Sequence, residues 1–477
     1  MRLVLVMITL WAFACMPAAL RAQSTVAAVD RADTTKKVTV DVHPQMLGGA
    51  ASLRDRNGVL AFMASAAVLT KAPNHQGHLT FDLIQSAGTP MLRAVEAGYD
   101  RRGNAGRGAS RIRARWDWTP LSSLTISLGR DTLHDGWGRR SLFRGRHAAP
   151  VPFIETRLDG GGRLRYRHRI EALQGSASIH CAPNASGDPR FWIPASGPLR
   201  ANIERMVVSH RLEVDLGRRI TAALWGAVVW NIEDGTRAFE PHYLLPLTSL
   251  RPTEFAQGSS DNAIVGLEGQ WRLGAVDQGP RYLYGQLLLD ELLVSEILGS
   301  TGWWGNKYGL LGGLHWGYPR GAWRIEAAGV RPWTYSHYTP TSAYIHGLTP
   351  LAHPLGANFF EGSVEGHIQR NEWTVHGRLT ASQRGDDPIG SAPSGSLPQI
   401  GDIDRTEETY VWLGGTARQF TLIQLDVSHK LPLGDANYVQ GFVRWEGQRT
   451  AVGPQQENAM RLMFGLRTTG PFLGADW

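Results

Sequence analysis

The sequence predicts an all-β fold: a closed antiparallel transmembrane β-barrel of about 16–18 strands, with long loops and a possible plug. Three observations predict it. Segments that alternate with period two recur along most of the chain and are separated by turn residues, the rhythm of an up-and-down sheet. In two of these segments every second residue is arginine. Arg163, Arg165, Arg167 and Arg169 alternate with Leu164, Tyr166, His168 and Ile170, while Arg111, Arg113 and Arg115 alternate with Ile112, Ala114 and Trp116. Successive side chains of a strand point to opposite faces, so each stripe puts guanidinium groups on one face and apolar groups on the other. A membrane barrel accommodates that pattern, with lipid outside and a wet lumen inside. The third observation is composition: 17 tryptophans and 55 glycines suit aromatic girdles and tight turns, and no apolar run after the leader is long enough for a spanning helix.

The elements follow in chain order. Arg2, the apolar run from Leu3 to Ala14, Pro17 and the small residues ending near Ala22 read as a secretory signal peptide over 1–22. Residues 23–48 read as a periplasmic N-terminal extension, and 49–477 as an outer-membrane barrel with its loops. Strand candidates in the first half are Leu60–Leu69, Leu79–Ser86, Arg111–Trp118, Leu121–Leu128, Gly162–Leu173, Met206–Leu216, Arg219–Ile232 and Ala263–Leu273. The second half adds Tyr282–Leu292, Lys307–Trp316, Trp323–Pro332, Phe359–Arg370, Glu372–Ser382, Thr409–Gly415, Phe420–Leu431, Tyr438–Gln448 and Ala459–Thr468. Each is close to the roughly 9–11 residues a tilted strand needs to cross a bilayer. Closure is expected because an open edge in lipid would leave amides unsatisfied. The wall uses only part of the chain, which leaves Gly129–Thr156, Cys181–Asn202, Tyr335–Asn358 and Gly385–Arg405 as loops or plug.

Charge and cysteine narrow the function. The formal charge of +7 becomes +5 once Arg2 and Arg21 leave with the leader, and there is no lysine-rich arm of the kind that holds nucleic acid. With Cys15 in the leader, Cys181 has no cysteine partner, so the mature chain has neither an intrachain disulfide nor a cysteine metal cluster.

Catalytic chemistry finds little support. Asp131, His134 and Asp135 lie in a glycine-punctuated turn among Arg130, Arg139, Arg140, Arg144 and Arg146, where salt bridges within the turn are the simpler expectation. Asp290 and Glu291 face opposite sides of a strand and cannot act as a paired acid and base. His337, His346 and His353 have no chelating spacing, and the serines lack a Gly-x-Ser-x-Gly elbow. No catalytic residue, metal or cofactor is expected. The arginine stripes allow two readings: a cationic surface for carboxylates or phosphates, or a ladder neutralised by acids such as Glu213 and Asp215 on a neighbouring strand.

Tyr284–Trp316, with its Trp303, Trp304, Gly305, Asn306, Lys307 run, together with Val330–Tyr338 and Leu351–Glu361, resembles the capsule-assembly outer-membrane proteins of the Wzi type. The likeness is closest to their gliding-motility relatives of the RemB type, and Gly136–Phe153 and His242–Gly269 extend it. The resemblance implies a non-enzymatic outer-membrane barrel of about eighteen strands that holds or organises surface polysaccharide. The physics of the stripes adds that the polymer is acidic. The expected contacts are Arg111, Arg113, Arg115, Arg163, Arg165, Arg167, Arg169, Trp303, Trp304, Lys307, His337 and His353. The expected partners are that polysaccharide and outer-membrane lipid, with no nucleic acid. A component of gliding or adhesion machinery and a porin-like channel stand as alternatives.

Overall fold

The computed structural model describes residues 45–47, 50–52, 60–72, 74–87, 100–102, 108–174, 181–182, 193–194, 204–231, 243, 261–274, 279–338, 340–347, 349–388, 392–402, 405–431 and 439–468. The leader at 1–22, most of the N-terminal extension, most of the Cys181–Asn202 loop and the C-terminal residues 469–477 lie outside the described residues.

Seventeen long strands form one antiparallel sheet: β1 (Leu60–Ala72), β2 (His75–Ala87), β3 (Gly108–Leu121), β4 (Leu124–Asp131), β5 (Val151–Asp159), β6 (Leu164–Gln174), β7 (Glu204–Leu216), β8 (Ile220–Asn231), β9 (Asn262–Arg272), β10 (Arg281–Glu291), β11 (Lys307–Tyr318), β12 (Gly321–Val330), β13 (Phe359–Arg370), β14 (Trp373–Asp386), β15 (Thr416–Lys430), β16 (Val439–Val452) and β17 (Gln455–Thr468). Each pairs with the next in sequence, from β1 on β2 to β16 on β17. Two short segments link the ends of this series. Gln45–Leu47 pairs with β1 and meets β17 at Met46 and Leu466, and Ala50–Ser52 pairs with β17. The one α-helix among the described residues is α1, Val294–Leu298, and no described helix is long and apolar enough to cross a membrane.

Two differences from the sequence reading have physical causes. Thr409–Gly415 is not a strand: Thr409 makes only an isolated bridge to Trp303, and positive φ angles at Leu413 and Gly415 end any extended run. Strand β5 lies within the stretch read as the Gly129–Thr156 loop. Its inward face carries Val151 and Phe153 before Glu155, and its outward face carries Ile154 and Leu158, so apolar residues on both faces erase the period-two signal.

The two ends of the sheet are unlike. At one end β1/β2, β3/β4, β5/β6, β7/β8, β11/β12 and β13/β14 are joined by tight turns, and at the other the connections after β4, β6, β8, β10, β12 and β14 are long. The outward face is apolar, with Ile112, Leu128, Leu224, Leu267, Leu310, Ile325, Val364 and Ile423 all well exposed. Trp116, Trp118, Trp271, Trp316, Trp323 and Trp373 lie on this face near the tight-turn end. Trp116 stacks on Trp118, and Trp316 stacks on Trp323.

The inward face is polar and charged, and two of the long connections fold against it. Phe143 and Leu142 of the β4–β5 loop, and Tyr335, Tyr344 and Leu351 of the β12–β13 loop, share a buried apolar cluster with inward-facing Phe153, Trp225, Leu288 and Leu311. The loops also lock to each other: Tyr335 Oη donates to Leu142 O at 3.0 Å, Gly145 N to Leu351 O at 2.8 Å, and His147 Nε2 lies 2.8 Å from Pro350 O.

Candidate functional site

The predicted contact residues fall in two places. The first is the inward face beneath the β4–β5 loop. The register sets Arg165 opposite Glu213, so these two pair across the strands at 2.6 Å, and Asp215 meets Arg165 at 2.7 Å. Arg167 stands opposite Arg211 and finds no acid there. It turns instead to Asp135, which the loop lowers between the stripe and Trp225. Arg169, fully buried, meets Asp135 at 2.6 Å, Glu155 at 3.2 Å and Glu171 at 2.9 Å. Glu171 also takes Arg144 at 3.1 Å. Burial opposes ionisation of Asp135, but Arg167 and Arg169 outweigh it and hold the carboxyl well below its ordinary range.

Arg115 of the second stripe binds Asp117 at 2.8 Å and Glu155 at 3.2 Å, with its guanidinium over the Phe153 ring. Arg111 and Arg113 share its face, and Arg163 is exposed in the turn before β6. The ion pairs of Asp135 therefore come from the wall, in place of the pairs within the turn that the sequence suggested. The same holds for Arg139 and Arg140, which reach across the interior to Glu365 and Glu361 of β13. A lattice of this kind is a structural ladder first. Arg169 already has three carboxylates and no exposed surface to offer a ligand.

The second place is the long-loop end, where Trp303, Trp304, Lys307 and His337 come together. Lys307 starts β11 and is fully buried; its Nζ donates to Asp402 at 2.7 Å and to Ser336 O at 3.3 Å. Asp402 N in turn donates to His337 O at 3.1 Å. Trp304 is held between cations, with Arg405 Cζ 3.8 Å and Lys307 Nζ 4.8 Å from its ring centroid, and Trp303 tilts against it at 5.8 Å. Arg331 braces the turn through the carbonyls of Gly302, Trp303 and Tyr410. Trp303 and Trp304 remain part exposed, and Tyr338, next in chain to His337, is exposed. Sequence reasoning missed Arg405, Asp402 and Tyr410. Asp402 and Arg405 fell in the glycine- and proline-rich stretch Gly385–Arg405 read as a loop, and Tyr410 in the Thr409–Gly415 stretch read as a strand.

His353 does not join this cluster. It is buried against Phe359 and pairs with Glu361 at 3.2 Å. Burial pushes its pKa down to about 4. Burial likewise depresses His147 and His346 to about 3 and His134 to about 4, so these loop imidazoles are neutral. No group of three or more potential metal ligands occurs among the described residues.

Searches against family models and against curated proteins found no match. Solved structures do match. Escherichia coli Wzi, described as an outer-membrane protein involved in group 1 capsule assembly and a carbohydrate-binding β-barrel, aligns over 89% of this chain and 84% of its own at 13% identity, with a TM-score of 0.51. Pseudomonas aeruginosa OccD3 (OpdP) aligns over 94% and 97% at 9% identity, with a TM-score of 0.46. This chain has a Wzi-like outer-membrane β-barrel fold.

Proposed function

We propose that this protein is an outer-membrane barrel that holds an acidic surface polysaccharide at its long-loop face without chemically altering it. The observation that carries this reading is the part-exposed Trp303 beside Trp304 and Arg405, on the buried Lys307–Asp402 pair: an aromatic face and a cation that stacks on Trp304 and shares its charge with Glu408, pre-set by the fold at the end where loops are long. Aromatic rings offer apolar faces to sugar rings, and a guanidinium pairs with a carboxylate or phosphate. Sidedness follows barrel convention, in which tight turns face the periplasm and long loops face outward. Closure through Gln45–Ser52 is part of the proposal, supported by the pairings of that segment with both β1 and β17. Membrane placement is supported by the apolar outer face and the tryptophans near the tight-turn end.

The porin alternative needs an open lumen, and the interlocked β4–β5 and β12–β13 loops oppose it. Two measurements test the proposal. In a strain lacking the protein, polysaccharide should shift from cell-attached to released, and a Trp303→Ala, Arg405→Gln variant should fail to restore the attached fraction. An unchanged ratio would move the role to adhesion or motility.

A further inference from the structure

Among the described residues the inward arginines of β6 and β7 that form the stripe ladder meet carboxylates, whereas a chamber of about 470 Å³ under the β4–β5 loop is lined by more arginine than acid. That is room for a small ligand. Arg139 and Arg146 of the loop form its roof with Trp137, and Arg324 and Glu365 come from the tight-turn halves of β12 and β13. Three arginines thus face one carboxylate, and Glu365 is already taken by Arg139. Arg324 has Glu326 only at 4.0 Å, and that acid accepts Arg139 N at 2.7 Å and Tyr284 Oη at 2.5 Å. Arg146 is exposed, without a salt bridge among the described residues. His315 also lines the chamber, and its Nδ1 is buried without a hydrogen-bond partner. The contrast with Arg169 and its three carboxylates is direct.

We propose that this chamber is a second site, separate from the long-loop face, and that it binds one anionic sugar residue, carboxylated or phosphorylated, entering from the tight-turn end. Arg146 and Arg324, the latter with its carboxylate only at 4.0 Å, supply the charge recognition and the His315 imidazole a hydrogen bond. Trp137 supplies an aromatic surface for the sugar ring.

The test is calorimetric titration of the purified full-length protein in detergent with glucuronate, glucose 6-phosphate, inorganic phosphate and neutral glucose. The proposal expects saturable binding of at least one anionic sugar, no heat from glucose, and weakening in high salt. The Arg146→Gln, Arg324→Gln double variant should bind at least tenfold more weakly, while Arg324→Lys keeps part of the affinity. Tryptophan fluorescence matching the parent would show that the double variant is folded. Trp303→Ala should leave this binding unchanged, which separates failure of the chamber from failure of the long-loop face. Absence of binding, equal binding of glucose, inorganic phosphate as tight as its sugar ester, or an unaffected double variant would each overturn the proposal.

Discussion

Asp135 shows how little a residue's neighbours in sequence say about its partners. It sits one position from His134 in a turn crowded with arginines, yet its carboxylate meets Arg167 and Arg169, more than thirty residues away on β6. The arginine stripe was legible because a period of two needs only the chain itself. The acid that satisfies it was not, because the loop that brings Asp135 into the interior is placed by long-range packing. The consequence differs along the stripe. Asp135→Ala strips the nearest acid from two inward guanidinium groups, and removing one member of a buried ionic network costs about 3–5 kcal/mol. The expected outcome is faster cleavage of the β4–β5 loop by added protease, with the barrel itself still folded. Arg165→Gln removes a pair that is more than a third exposed, so a loss of about 0–1 kcal/mol is expected, and the protease pattern should match the parent. Equal cleavage of the two variants would contradict the lattice as drawn.

At the scale of the element, the inserted loop is fitted by glycine as much as by charge. Phe143 stacks on Trp225 at 5.0 Å, and a Cβ built on Gly266 of β9 would come within 2.3 Å of the Phe143 ring. A glycine inside a strand weakens it, and here its absent side chain admits the aromatic of the loop. Phe143→Ala should loosen the loop by about 3–5 kcal/mol, the range for truncating a buried aromatic, read as lost amide-exchange protection over 132–150. Gly266→Val should give the same loss by blocking the seat; retained protection in both variants would sink this account. The loop histidines add a pH dependence. His134, His147, His346 and His353 titrate at about 3–4 when docked, against roughly 6.5 when free. The undocked state therefore binds more protons below pH 6.5, so docking is at full strength above that value. It is lost as pH falls towards 4, by about 1.4 kcal/mol per pH unit for each histidine. Exchange protection of both loops should be high at pH 7.5 and reduced at pH 5, and an identical pattern at the two values would contradict the buried neutral imidazoles. The same packing hid β5 from the sequence. Its inward Val151 and Phe153 are apolar because they meet the loop, which is where the barrel rhythm breaks.

At the scale of the whole molecule, sixteen of the seventeen long strands were legible because their outward residues are apolar and their inward ones polar, while β5 was missed and Thr409–Gly415 was added in error. The long-loop cluster was half legible. Trp303, Trp304 and Lys307 stand within five residues, whereas Asp402 and Arg405 arrive from a loop nearly a hundred residues later. What the sequence left open was the state of the lumen, and the cross-wall contacts speak to that. Arg139 and Arg140 join the inserted loop to β13, and Arg205 of β7 donates to the carbonyls of Thr341, Ala343 and Ile345 in the second loop at 3.1, 3.1 and 2.7 Å. A loop held from β6 and from β13 is a bar across the proposed barrel, so the full-length protein in a planar bilayer should conduct only in rare, small steps. Replacing 133–149 with a short glycine-serine turn removes the bar and one half of the interlock, and steady conductance should follow. The replacement takes out four arginines, Arg139, Arg140, Arg144 and Arg146, against one acid, Asp135, and frees Glu361 and Glu365 of β13, so the opened pore should favour cations, measurable as a shifted reversal potential in a salt gradient. Large steady currents from the unmodified protein would instead favour the channel reading. A silent deletion variant that still forms a heat-stable barrel would show that the second loop alone closes the lumen.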